Sequence, residues 1–138
     1  MAFQIVEILD SQSKSILAKL SHCDNQVTVI IPNKELEDIV VGKSFQAEMD
    51  YEKILSWKVI SDLDDTESCI WQEKDGIHLL GRVHNIVDLG NHKAMIDVYM
   101  QCGPEFFAVN SEAIDNEIPN RNAGLEIIVS NLYIYPTS

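Results

Sequence analysis

Residues 45–52 read FQAEMDYE and place Glu48, Asp50 and Glu52 at every second position. Side chains alternate across an extended strand, so these carboxylates share one face at a spacing of roughly 7 Å. Phe45, Ala47, Met49 and Tyr51 then share the other face and point to a core. Three like charges in a row gain nothing from one another. They need water, cross-strand cations or a basic partner. Lys19 and Lys53 are the candidate internal cations, and a basic protein is the candidate external one. The chemistry on offer is electrostatic recognition.

A second acidic group, Asp62, Asp64, Asp65 and Glu67, sits in the polar stretch 61–68, SDLDDTES. Glu35, Glu37 and Asp38 form a third. A calcium loop starting at Asp62 needs Gly at its sixth position and Glu at its twelfth. Glu73 satisfies the twelfth, but Glu67 stands where the bend needs glycine. A solvated linker or a charged docking surface fits better. Trp57 and Trp71 flank this stretch. As core residues they fill volume; as exposed residues they supply the aromatic anchors of a binding hot spot.

The histidines are His22, His78, His84 and His92. His78 and His84 share a face if their strand is unbroken, but stand roughly 20 Å apart, too far for one metal. Cys23, Cys69 and Cys102 are widely spaced with no CxxC, so they read as small buried residues in a reducing compartment. No nucleophile elbow, phosphate-cradling loop, HExxH or dinucleotide fingerprint occurs. The expectation is a protein with no catalytic residues, no metal and no cofactor.

Twenty-two acids against 10 bases give a net charge of −12. Nucleic acid and anionic membrane are disfavoured as direct ligands, because both recruit cations. A basic protein is attracted. No apolar run approaches the ~20 residues of a membrane span. The opening MAFQIVEILD has no basic region and reaches Glu7 early, unlike a signal peptide, so a cytoplasmic location is expected.

These side chains must be carried by strands. Frequent β-branched and aromatic residues in alternating runs place strands at 3–9, 15–22, 26–31, 44–52, 54–60, 69–73, 77–87, 93–101, 105–109 and 125–135. Turn pairs at Asp24-Asn25, Asp75-Gly76, Gly90-Asn91 and Gly103-Pro104 separate them. Residues 32–42 could hold a short helix, and Ser111 could cap another before Pro119. The halves 1–60 and 69–138 align in part. Cys23 falls opposite Cys102, and Gly42 opposite Gly124. Phe45, Ala47, Met49 and Tyr51 fall opposite Ile127, Val129, Asn131 and Tyr133. Internal duplication and convergent hairpin grammar both produce such a match.

In element order alone, each half resembles an OB-type small barrel. The fold expected is all-β, with two OB-like or small-barrel halves joined by an acidic junction at 61–68, or alternatively a single β-sandwich. The function expected is that of a non-enzymatic acidic protein docking a basic partner. An inhibitor or immunity-type protein masking a nuclease or nucleic-acid-binding surface has this logic. The docking residues would be Glu48, Asp50, Glu52, Asp62, Asp64, Asp65, Glu67, Trp57 and Trp71. The alternative is an OB-like module gripping single-stranded nucleic acid or an oligosaccharide, with Lys14, Lys19, Lys43, Lys53 and Lys58 converging on a groove.

Overall fold

The computed structural model describes residues 3–12, 14–32, 34, 39–60, 70–88, 96–102, 105–115, 117 and 119–137; for residues 88, 96–102, 105 and 106 it describes the backbone alone. The junction acids Asp62, Asp64, Asp65 and Glu67, the acids Glu35, Glu37 and Asp38, and Cys69 lie outside the described residues.

The all-β expectation holds. The strands are β1 (Phe3–Gln12), β2 (Ser15–His22), β3 (Asn25–Pro32), β4 (Ser44–Tyr51), β5 (Ile54–Ile60) and β6 (Ile70–Glu73). They continue with β7 (Gly76–Asp88), β8 (Ile96–Cys102), β9 (Glu105–Asn110), β10 (Gly124–Val129) and β11 (Leu132–Thr137). Alternation decides the clearest of them. In β2 the residues Ile16, Ala18 and Leu20 are buried, and in β3 Val27, Val29 and Ile31 are buried, with their neighbours turned outward.

Five strands close a barrel in the order β1-β2-β3-β11-β4, and β4 returns to β1 through Phe45 opposite Phe3. The β3–β11 contact is parallel, with Tyr133 opposite Ile30. The other pairs of the barrel are antiparallel. The remaining strands form a second sheet, β5-β10-β7-β8-β9, with β6 also paired to β7.

The sheets do not follow the two halves of the chain. Strand β5, expected with the first half, pairs with β10, and β11, expected with the second, closes the barrel. Two backbone bonds lie where the strands change sheet. Glu52 N donates to Asn131 O at 3.1 Å, and Ser130 N donates to Lys53 O at 3.1 Å. Residues 44–60 and 124–137 therefore run side by side as one antiparallel ribbon shared by both sheets.

That crossing corrects the expectation of one strand over 125–135. In β10 the buried side chains are Leu125, Ile127 and Val129; in β11 they are Leu132 and Ile134. The inward face moves by one position at Ser130–Asn131. The aligned pairs Phe45/Ile127 and Ala47/Val129 both face inward, but the match ends there, and Tyr133 turns outward where Tyr51 packs on the core.

The turn after β2 is also one residue earlier than expected. Cys23 and Asp24 hold left-handed backbone, with φ of 49° and 66°, and His22 faces Asn25 as the closing pair. Positive φ at both central residues is the turn geometry that follows the strand twist. Cys23 is thus a partly exposed turn residue, and the reading of it as a buried apolar filler does not hold. The short 3-10 helix Ser111–Ile114 is capped by Asn110, whose side chain accepts from Glu112 N, and Ser111 is a buried first residue of that helix.

One buried cluster runs through both sheets, joining Phe3, Ile16, Leu20 and Ile31 of the barrel to Ile70, Leu79, Leu125 and Ile127 of the second sheet. Each such side chain is worth about 1.5–3 kcal/mol when withdrawn from water. Two bonds tie the sheets further. Tyr51 Oη donates to Ala108 O at 2.7 Å, and Thr28 N donates to Gln72 Oε1 at 2.8 Å.

Candidate functional site

Strand β4 has the arrangement expected of it. Ala47 and Met49 are buried, Phe45 and Tyr51 pack against the core, and Gln46, Glu48, Asp50 and Glu52 are exposed. Its neighbour β11 brings Tyr135 opposite Glu48 and Tyr133 opposite Asp50. Tyr135 is exposed and Tyr133 half-buried. Beyond Tyr133, β3 presents Ile30 and β2 presents the exposed Leu17, which face each other across that pair. The outer barrel surface thus runs from acids through tyrosines to aliphatic side chains.

Two carboxylates on this face, Glu52 and Asp50, hold neutral partners. Glu52 Oε2 accepts from Asn131 Nδ2 at 2.7 Å and from Tyr133 Oη at 3.3 Å. Asp50 Oδ1 accepts from Tyr51 N at 2.8 Å. Neutral donors fix the groups in place and leave their charge uncompensated. Among the described residues no lysine, arginine or histidine forms a salt bridge with Glu48, Asp50 or Glu52. Lys19 stands opposite Glu7 on β1. Partial burial lifts the Tyr133 phenol above its usual 10, and the Glu52 charge and hydrogen bond add to the rise.

An open cavity of about 590 Å³ lies at the end of the same strand pair, lined by Phe45, Gln46, Pro136 and Thr137, with Ile5, Ile39 and Val40 among its apolar walls. Lys34 and Lys43 also line it.

The other anticipated residues sit elsewhere. Trp57 on β5 packs against the core opposite Ile127. Trp71 on β6 stacks on His78, with ring centroids 4.9 Å apart. Neither tryptophan joins the acidic face of β4. The five lysines of the alternative reading do not share a strand. Lys58 pairs with Glu126 at 3.5 Å on the second sheet, Lys19 lies on β2, and Lys14 sits in the turn after β1.

Sequence reasoning missed a histidine-centred cluster on the second sheet. His78 is 5% exposed, on β7 beside the β6–β7 turn. Its Nδ1 lies 2.8 Å from Glu126 Oε1, and its Nε2 lies 2.8 Å from Asp75 Oδ1 and 3.4 Å from Glu73 Oε2. Burial alone would lower its pKa, but the hydrogen bonds and charges of Asp75 and Glu126 outweigh burial and raise it. The His78 hydrogen bond holds the Asp75 carboxyl below its usual range. The sequence signal was the spacing of Glu73, Asp75 and His78 around a turn; Glu126 is 48 residues from His78 and carried none. His84 is exposed at a bulge between Val83 and Asn85, so the unbroken shared face with His78 does not exist.

His22 is the other buried histidine, 1% exposed, with neither ring nitrogen hydrogen-bonded. Its ring lies 4.7 Å from that of Phe3, and burial lowers its pKa to about 4. It is a neutral core residue.

Among the described residues no helix is long and apolar enough to cross a membrane. Compared with protein-family models, curated proteins and solved structures, the chain finds no match.

Proposed function

We propose that this chain is a non-enzymatic binding protein that docks a basic protein through the outer face of β4 and β11. One observation carries the reading: Glu48, Asp50 and Glu52 stand exposed beside Tyr133 and Tyr135, with no cationic side chain among the described residues paired to them. Withdrawn from a partner, such a row repels itself; brought against lysines and arginines, it is neutralised. The tyrosines add broad, stiff contact area at low entropic cost. Ile30 and Leu17 extend the patch with apolar surface. A partner whose own work depends on a cationic surface, such as a nuclease or another nucleic-acid-binding protein, matches this face, and covering that surface would inhibit it.

The test is capture from the source cell with the wild-type protein and E48Q/D50N/E52Q in parallel, at about 50 mM and about 500 mM salt. The expected result is a basic protein held by the wild type at low salt, and lost both at high salt and from the triple variant. Equal retention under all conditions contradicts the reading.

A second reading rests on strand order. In an OB-type barrel the last strand lies between the third and fourth and runs parallel to the third. Here β11 takes that place beside β3. The second sheet, β5-β10-β7-β8-β9, follows the same order with β7, β8, β9 and β10 standing for β1 to β4 and β5 for the last strand, but among the described residues it stays open between β5 and β9. We infer two OB-like units that exchange their final strands, in keeping with an internal duplication. Such barrels also grip single-stranded nucleic acid or oligosaccharide on the faces of their second and third strands. In this chain the β2–β3 face offers Lys19 and little other positive charge. Saturable binding of single-stranded DNA or RNA at low salt favours the second reading; its absence favours the first.

A further inference from the structure

We propose that the β6–β7 hairpin binds one divalent transition-metal ion through Glu73, Asp75 and His78. This inference is independent of the docking face, which lies on the other sheet.

The three residues offer one donor atom each, and these atoms lie within 4.8 Å of one another. His78 Nε2 is 3.4 Å from Glu73 Oε2 and 2.8 Å from Asp75 Oδ1. Ligands about 2.0 Å from a tetrahedral ion stand roughly 3.3 Å apart. The carboxylates need only sub-ångström to ångström shifts to reach that spacing. Their side chains are 59% and 56% exposed, so they are free to make them.

The buried ring is prepared for the role. Glu126 accepts from Nδ1 and Asp75 from Nε2, each at 2.8 Å, so a metal ion would take the place of the proton on Nε2 while Glu126 keeps hold of Nδ1. A carboxylate behind a ligating imidazole is the recurrent supporting arrangement of metal sites. Glu126 is itself held by Lys58, and Trp71 covers one face of the ring. With the ion in place of that proton the ring is neutral, and three carboxylates meet one lysine around it. That leaves two uncompensated negative charges, which a dication balances.

The donor set also restricts the ion. One imidazole nitrogen with two carboxylates suits zinc, cobalt, nickel or manganese, whereas magnesium and calcium prefer oxygen alone. All three ligands come from one hairpin, so the ion would bridge the exposed end of that hairpin to the sheet. One or more coordination positions remain for water or a ligand from outside the chain.

The experiment is calorimetric titration of Zn²⁺ into chelator-stripped full-length protein, with nitrogen-15 NMR of the histidine side chains in the same samples. The expected result is one ion per chain, a perturbation confined to His78 Nε2 among the His78 ring nitrogens, and no competition from excess Mg²⁺. E73Q/D75N should weaken binding at least ~10-fold while leaving the fold intact, because both side chains are exposed. H78Q should abolish it, and E126Q should weaken it while the zinc still sits on Nε2. No saturable binding up to about 1 mM Zn²⁺, or equal binding by E73Q/D75N, overturns the proposal. A wild-type spectrum in which zinc leaves His78 Nε2 unmoved overturns it as well, whether or not H78Q folds.

Discussion

Tyr133 stands opposite Asp50 across the β4–β11 pair and reaches Glu52 Oε2 with its hydroxyl, 3.3 Å away. A tyrosine from the last strand thus holds a carboxylate that follows the fourth. The acidic face is assembled from segments 81 residues apart in the chain, and its aromatic and charged parts are positioned together.

This contact predicts a titration. Burial and the neighbouring charge of Glu52 both favour the neutral phenol, so Tyr133 should ionise above the usual 10. Ultraviolet absorbance titration should show a late-titrating tyrosine that disappears in Y133F. In E52Q its pKa should move down toward 10. A wild-type curve unchanged in both variants contradicts the contact.

His22 sets a dependence of stability on acid. Its pKa is about 4 in the folded chain and 6.5 as a free side chain, so the unfolded state binds the extra proton between those values. Stability contributed by the neutral buried ring is complete above pH 6.5 and is lost as pH falls through the window, at up to about 1.4 kcal/mol per pH unit and roughly 3 kcal/mol in all. Urea unfolding at stepped pH should show this slope. H22F should flatten it, and should cost little at pH 7 because the wild-type ring nitrogens have no hydrogen bonds to lose.

Gly76 admits no side chain. Its φ is +142°, and a Cβ there would lie 2.7 Å from Val129 O and 2.9 Å from Ile128 Cγ2. G76A should lose about 2 kcal/mol or more, read from the denaturant midpoint. A loss below about 0.5 kcal/mol would show that β6–β7 does not sit this tightly on β10.

The shared ribbon predicts that the two sheets unfold together. Both tryptophans are on the second sheet, and Leu132, fully buried, is on β11 of the barrel. L132A should cost about 2–4 kcal/mol. Tryptophan fluorescence should report that loss in full, with the same midpoint as circular dichroism. A fluorescence transition that stays at the wild-type midpoint would mean that the sheets unfold separately.

Much of the barrel was legible because one buried face leaves an alternating record. In β2, β3 and β4 that record marked the strands and their approximate ends, and in β4 it also separated the faces and placed Glu48, Asp50 and Glu52 outward. Alternation reports which face is buried but not which strand lies alongside. The passage of β5 and β11 into opposite sheets was therefore invisible, and with it the outward turn of Tyr133. The step at Ser130–Asn131 was hidden within a continuous β-rich run. The Cys23-Asp24 turn was displaced by one residue because Asp24-Asn25 reads as the stronger turn pair, while hairpin register selected left-handed backbone at a cysteine. The His78 cluster escaped because its orienting carboxylate, Glu126, arrives through sheet pairing from far along the chain.

The most direct test of the docking face is the salt dependence of the association rate with the captured basic partner, measured for wild type and E48Q/D50N/E52Q. The wild-type rate should fall at least ~10-fold between about 50 and about 500 mM salt, and the triple variant should be slow and nearly flat across that range. A wild-type rate that ignores salt, or a triple variant that associates as fast as the wild type, would contradict an acidic docking face on β4 and β11.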